Sequence, residues 1–289
     1  MSLTLVQAWK QARQRLEAAG LAGPVIDARL LVEAAADATR VDIVTDPQRP
    51  LTPDQEQRLA DYLQRREQRE PVSQILGRKG FWKLMLAVND QVLTPRPDTE
   101  TVVEYVLRDF PQHAPWTVLD LGVGSGAILL SVLAERPAAR GLGVDISEEA
   151  LAVARDNAAS LGLAPRSVFL RGDWTTGLAD GNFDLVVANP PYVATDVIET
   201  LEPEVRRYEP RLALDGGPDG LDAYRRLAPE ILRVLKPGGR FAVEIGYDQK
   251  VAVEALFREA GAEGVHTLPD LAQRDRVVTG LKKPLETSG

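Results

Sequence analysis

The sequence predicts an α/β protein: a doubly wound, mostly parallel seven-stranded sheet, preceded by a small N-terminal helical bundle. Three observations predict it. From Trp116 onward, strand-like apolar runs alternate with helical periodicity. Residues 1–70 carry helix signals and almost no strand signal. The last two strand-like runs follow each other without a helix, which reads as a terminal antiparallel hairpin added to a parallel sheet.

The elements follow in order. Thr4-Leu5-Val6-Gln7 fits a capping box, and Gly20 stops the helix it opens after Ala19. Pro24 opens a second helix through about Ala36. Thr52-Pro53-Asp54-Gln55 is a second capping box with proline at the first helical position, and its helix reaches about Glu70. The charged stretch 65–70 is then a solvated face. Between 71 and 96 the pattern changes. Residues 81–88 are rich in strand formers, Asn89-Asp90 reads as a turn, and Gln91-Val92-Leu93 returns, so a β-hairpin is expected to link two domains. Thr94-Pro95-Arg96-Pro97-Asp98-Thr99-Glu100 stiffens the chain and caps a helix to about Asp109. Strands are expected at 116–121, 140–145, 167–170, 183–188 and 239–245, and helices at 126–135, 148–161, 222–235 and 249–260. The runs 263–268 and 274–281 form the closing hairpin, and about 282–289 are expected to fray. The expected division is a helical domain over 1–75, a hairpin linker over 76–96 and the sheet domain over 97–289.

Composition limits the chemistry. The 289 residues are 44% hydrophobic and 26% charged, enough for one large domain and one small one. Without a cysteine there is no disulfide, thiolate nucleophile or cysteine-based metal site. Two histidines, His113 and His266, lie in unrelated settings, so a histidine triad or metal centre is not expected. No apolar run is long enough to span a membrane, and Met1-Ser2-Leu3-Thr4-Leu5 lacks the layout of a signal peptide, so a cytoplasmic protein is expected. Forty-two acidic residues against 34 basic ones give a net charge of −8, which weighs against a nucleic-acid partner.

Three motifs carry the functional reading. Asn189-Pro190-Pro191-Tyr192 follows the buried-strand pattern of 183–188, at the sheet edge where open α/β sheets bind ligands. The prolines halt the strand and stiffen the loop, leaving the Asn189 amide at a defined place. A plain strand-ending turn explains the same four residues. After the first sheet strand comes Asp120-Leu121-Gly122-Val123-Gly124-Ser125-Gly126-Ala127. Its glycines permit a tight turn against a ligand, and the helix behind offers free N–H donors. Gly122, Gly124 and Ala127 fit the relaxed dinucleotide fingerprint, whereas Gly122, Gly124 and Gly126 fit the loop of S-adenosylmethionine enzymes. Asp145 ends the second strand, where its carboxylate can accept both ribose hydroxyls of an adenosine; capping the helix near Ser147 is the rival role. Asp173 and Trp174 follow the third strand and suit an adenine, although Trp174 also reads as packing.

In this order the motifs resemble class I S-adenosylmethionine-dependent methyltransferases, and Asn-Pro-Pro-Tyr occurs in those that methylate planar nitrogens. Two further stretches narrow the resemblance. Glu70-Pro71-Val72-Ser73-Gln74-Ile75-Leu76-Gly77, with Phe81 and residues 93–100, is similar to the linker of the release-factor glutamine N5-methyltransferases, the HemK/PrmC family. Tyr208-Glu209-Pro210-Arg211-Leu212-Ala213-Leu214, running on to Gly220-Leu221-Asp222, is similar to that family's segment after Asn-Pro-Pro-Tyr. The resemblance covers nearly the whole chain. Val123 stands where the family often has threonine, and Thr94 where isoleucine is common.

The resemblance implies S-adenosylmethionine as cofactor and class I peptide-chain release factors as substrate. The activated sulfonium methyl of such a cofactor requires no metal. No coiled coil or long exposed edge suggests an obligate assembly, so a monomer is expected, and the helical domain would dock the substrate. Cofactor contacts would come from Gly122, Val123, Gly124, Ser125, Gly126, Asp145, Asp173, Trp174 and Asn189. Asn189 and Pro190 would accept the two hydrogens of the glutamine amide, Tyr192 would pack against the glutamine, and Pro191 would complete the substrate pocket. Arg96-Pro97 and Phe81 would help exclude water. A glutamine of a ribosomal protein, or an exocyclic amine of adenine or guanine, is the alternative acceptor. An NAD-dependent oxidoreductase is the reading from another class, and it leaves Asn-Pro-Pro-Tyr unexplained.

Overall fold

The computed structural model describes residues 2–285, in two compact units. The first runs to Arg78 and includes Glu202–Tyr208; the second comprises Lys79–Leu201 and the chain from Glu209 on.

The first unit is helical, with α1 Leu5–Ala18, α2 Pro24–Ala35, α3 Arg40–Thr45, α4 Pro53–Glu67 and α5 Val72–Leu76. Both expected capping boxes form, Thr4 with Gln7 and Thr52 with Gln55. Leu5, Ala8, Ala12 and Leu16 line one face of α1 and pack with Leu31, Val32 and Leu59. The short helices α3 and α5 were not expected, because five or six residues hold too few turns to show a period. Thr39 does cap α3 through a capping box with Asp42. The insertion 202–208 groups with this unit through Arg66. That guanidinium, 5% exposed, bonds Asp27 at 2.8 Å and Glu204 at 2.9 Å. Arg66→Ala would leave the part-buried Asp27 without its ion pair and Glu204 with only Arg69, at 3.5 Å, and a loss of about 2–3 kcal/mol is expected in denaturant unfolding.

In the second unit, strands β1 Arg78–Phe81 and β2 Leu84–Ala87 make a hairpin that corrects the expected one. The turn falls at Trp82-Lys83, with Trp82 at φ +53°, and residues 91–93 form no return strand. No glycine or asparagine marks that turn; instead the Trp82 N–H donates to Glu100 Oε1 at 2.7 Å. The backbone groups of Ala87 that a return strand would pair are taken by the Asn157 side chain, at 2.7 and 3.1 Å. Val92 is buried with Val88, Ala150 and Val153.

The large sheet contains β3 Thr117–Leu121, β4 Arg140–Asp145, β5 Ser167–Arg171, β6 Phe183–Ala188, β7 Leu235–Glu244, β8 Ala262–Pro269 and β9 Asp275–Lys282. Their order is β5-β4-β3-β6-β7-β9-β8, parallel through β7 and antiparallel at β9 and β8. The remaining helices are α6 Glu100–Asp109, α7 Ala127–Glu135, α8 Glu148–Ser160, α9 Pro203–Tyr208 in the inserted segment, α10 Asp222–Val234 and α11 Lys250–Glu259. The central strand β6 is buried at Leu185, Val186, Val187 and Ala188 alike, as a strand covered on both faces must be. One core lies on each face of the sheet, around Leu129 and Leu133 on one side and Tyr224, Phe241 and Phe257 on the other. The expected strands and helices of this sheet fall within two residues of their places, except that β7 begins at Leu235. The end expected to fray still belongs to β9 as far as Lys282, and 286–289 lie outside the described residues.

Winding reverses between β3 and β6, so their carboxyl ends open a crevice at the switch point. The glycine loop follows β3, and Asn189 follows β6. No helix among the described residues is long and apolar enough to cross a membrane.

Candidate active site

Three alternate glycines in the left-handed region of the backbone shape the loop after β3. Gly122, Gly124 and Gly126 have φ of +72°, +52° and +84°, a region that residues with a Cβ rarely enter. At Gly126 a Cβ would also stand 2.8 Å from Leu130 Cδ1. The loop is held by backbone bonds from Gly122 and Val123 to the Val144 carbonyl, at 2.9 and 3.0 Å. Ser125 is fixed through its carbonyl by Asn157 Nδ2 at 2.9 Å.

Asp145 ends β4 beside this loop. Its Oδ2 accepts from the Gly124 N–H at 2.9 Å and its Oδ1 from the Ser147 N–H at 3.0 Å. The helix cap is Ser147 itself, whose hydroxyl oxygen accepts from Ala150 N–H at 3.1 Å. Each Asp145 oxygen therefore keeps a lone pair for a further donor.

These groups line a cavity of about 470 Å³, together with Asp120, Asp173, Trp174, Asn189 and Pro191. Residues to which the motifs assigned no site role also line it, among them Thr99, Ile128, Ile146, Leu212 and Asp215. Trp174 has φ +54°, unusual for a bulky side chain, and its ring lies where a Gly122 Cβ would come within 3.5 Å. The Asn189 carbonyl oxygen is 4.0 Å from the same point, so Gly122, Trp174 and Asn189 meet. The Asp173 carboxylate, by contrast, is paired with Arg226 on α10 at 2.8 Å.

Asn189 itself is half-buried, and its Nδ2 donates to Thr99 Oγ1 at 3.2 Å. Pro190 is buried. Tyr192 packs against the core beneath β7, and its hydroxyl donates to Glu244 Oε1 at 3.3 Å. The loop backbone is braced from outside. Gln249 Nε2 donates to the Tyr192 carbonyl at 3.1 Å, and Val193 exchanges bonds with Leu214 and Gly216 at 3.0 and 2.8 Å. Only glycine fits at 216, where a Cβ would meet the Pro191 carbonyl at 2.8 Å. Across the cavity mouth, Arg96 Nη2 donates to the buried Glu209 Oε2 at 2.7 Å, joining the linker to the loop that carries Leu212 and Ala213.

Asp120 tests what the cavity fits. It is 1% exposed, its Oδ2 accepts from Leu129 N–H at 3.1 Å, and its Oδ1 has no hydrogen-bond partner. Burial, reinforced by the charge of Asp145, pushes its carboxyl up to about 7 against the Leu129 bond. An orphaned acid in a cavity wall calls for a cationic ligand group. A ligand with an ammonium, a diol for Asp145 and a flat apolar part for the Ile146 side satisfies all three walls, and S-adenosylmethionine has each of these.

A family model described as "Methyltransferase domain" matches residues 112–272, and one described as "PrmC N-terminal domain" matches residues 7–77. A methyltransferase of known crystal structure from Pyrococcus furiosus superimposes with a TM-score of 0.50 at 16% identity, covering 68% of this chain and 88% of its own, and shares the fold. Fold and site together define a class I S-adenosylmethionine-dependent methyltransferase. The release factor glutamine methyltransferase of Caulobacter vibrioides is 67% identical over 99% of both chains, and that of Agrobacterium fabrum 43% identical over 93% of this chain and 94% of its own. The chain belongs to the release factor glutamine methyltransferase family.

Proposed function

We propose that the chain transfers a methyl group from S-adenosylmethionine to the side-chain amide nitrogen (N5) of the glutamine in the Gly-Gly-Gln motif of class I peptide-chain release factors. The observation that carries this reading is the Asn189 carboxamide. It is clamped by Thr99 beside a cavity that fits the cofactor, with its Oδ1 left for another donor.

When bound, the cofactor supplies a methyl group already activated by its sulfonium. Asp145 would hold the ribose hydroxyls, the glycine loop would approach through its backbone, and Asp120 would face the ammonium. Trp174 and Asp173 would border the same pocket. What remains for the protein is orientation and charge. An amide nitrogen is a poor nucleophile, because its lone pair is delocalised into the carbonyl. Asn189 Oδ1 and the Pro190 carbonyl accept its two hydrogens, fixing the nitrogen toward the methyl and favouring the positive charge that develops there. One of those protons then leaves late, to water, so that a neutral N-methyl amide results. Tyr192 and Pro191 wall the glutamine side chain. Burial keeps the Tyr192 hydroxyl protonated, so it acts as a donor to Glu244 and not as a base.

The helical residues 1–75 serve as the docking domain for the protein substrate, 76–96 as the linker and 97–289 as the catalytic domain. The enzyme works in the cytoplasm as a monomer and needs neither a nucleic acid nor a membrane. Incubation with labelled cofactor and, separately, release factor, DNA and ribosomal RNA tests the reading. Label is expected in the release factor, and label confined to nucleic acid overturns it.

Asp120 adds a pH dependence. The ionised form pairs with the ligand ammonium, and the free site takes up a proton as pH falls through about 7. Cofactor affinity is therefore expected to be level above that pH and to weaken up to about tenfold per unit below it. Asp120→Asn should bind more weakly and with no such slope in calorimetry from pH 5 to 8.

A further inference from the structure

Behind the Asn189 clamp lies an acid that the mechanism above does not use. Glu244 ends β7 in the apolar run Phe241-Ala242-Val243, is 1% exposed, and its Oε2 has no hydrogen-bond partner. A carboxylate in such a strand is costly, so packing alone does not explain it. Its Oε1 accepts from the Tyr192 hydroxyl at 3.3 Å. The Thr99 hydroxyl and Asp98 face it from the turn before α6, and Arg276 faces it from β9. On α10, the Tyr224 hydroxyl donates to its backbone carbonyl at 2.9 Å.

We propose that Glu244 is a positioning residue: acting through Thr99, it locks the Asn189 carboxamide with Oδ1, not Nδ2, turned toward the substrate amide. The inference rests on the reading that Asn189 clamps a glutamine nitrogen.

The two ends of a carboxamide are nearly equal in shape but opposite in chemistry, since one accepts and the other donates. Turned half a revolution, Asn189 would present donors to the glutamine N–H groups and the clamp would fail. Thr99 alone does not choose between the two orientations, because a hydroxyl both donates and accepts. An ionised Glu244 does choose. It only accepts, so it draws the Thr99 proton to itself. The remaining Thr99 lone pairs then require a donor, and Asn189 Nδ2 supplies it at 3.2 Å. A protonated Glu244 returns the choice to Thr99.

The surroundings set where that proton binds. Burial raises the Glu244 carboxyl to about 7, opposed by Thr99, the Arg276 charge and Tyr192, and aided by Asp98. Tyr192 and Tyr224 are held protonated by burial. Arg276 remains paired with Asp270 at 3.2 Å and Asp98 at 3.3 Å.

The test is kcat against pH with cofactor and release factor both saturating, where Asp120 is already ionised by its bound partner. The wild-type rate should fall about tenfold as pH drops through 7, the worth of the one hydrogen bond that fixes the orientation. Glu244→Gln should sit near the low plateau at every pH. Thr99→Val should match it, and Thr99→Ser should restore both rate and profile. Glu244→Gln, whose side chain lies outside the cavity wall, should leave the cofactor dissociation constant from calorimetry unchanged. If the wild type transfers methyl to the glutamine while Glu244→Gln or Thr99→Val keeps its rate and pH profile, the inference alone is overturned. If the wild type transfers none, the functional reading falls and the inference with it.

Discussion

Asn189→Ala is expected to lower kcat by about 10²–10³-fold while the cofactor dissociation constant stays within about twofold. On the proposed mechanism the change removes an acceptor from the point where charge develops on the transferring nitrogen. It leaves the glycine loop, Asp120 and Asp145 intact. Because the lost interaction strengthens as the nitrogen becomes positive, the loss falls on kcat more than on KM. Single-turnover transfer to a release factor, with calorimetry in parallel, separates the two quantities. A variant that keeps a near wild-type rate would remove Asn189 from the reaction.

The second large effect is expected at Asp145. Asp145→Ala should weaken cofactor binding about 10- to 150-fold, the range for losing hydrogen bonds to a charged acceptor. Two causes add. On the proposed reading the ribose loses its acceptor, and Gly124 loses the carboxylate that now holds its N–H at 2.9 Å. At saturating cofactor kcat should change little, since Asp145 stands on the other side of the loop from Asn189. An unchanged dissociation constant would assign Asp145 to loop and helix-turn geometry alone.

Most of the sheet was legible because its signals are local. Strands β3, β4 and β6 are short apolar runs with glycine, aspartate or proline at their ends, and the helices between them keep their period. The hairpin was misread because nothing local marks Trp82-Lys83 as a turn. That turn is held by Glu100, and the edge of β2 by Asn157, 70 residues away. The inserted helix α9 was missed for a similar reason: its partners in the first unit are Arg66, Gln68 and Gln74, far off in sequence.

The site divides in the same way. Gly122, Gly124, Gly126, Asp145 and Asn189 sit in motifs whose spacing announces them. Thr99 reads as part of a helix start, and only the fold brings it to Asn189, 90 residues on. Glu244 left one trace, an acid in the apolar run of a central strand, which is the kind of local conflict that functional sites produce. Asp120 opened the glycine motif in full view, but its importance is in its burial and its unpaired oxygen.

The central claim is that Asn189 and Pro190 cradle one amide nitrogen beside the methyl donor. Peptide mass spectrometry of a class I release factor, treated with the wild-type enzyme and with Asn189→Ala, tests it most directly. The account predicts one added methyl group on the glutamine of Gly-Gly-Gln with the wild type and almost none with the variant. A methyl group on any other residue, or equal methylation of that glutamine by both enzymes, would contradict it.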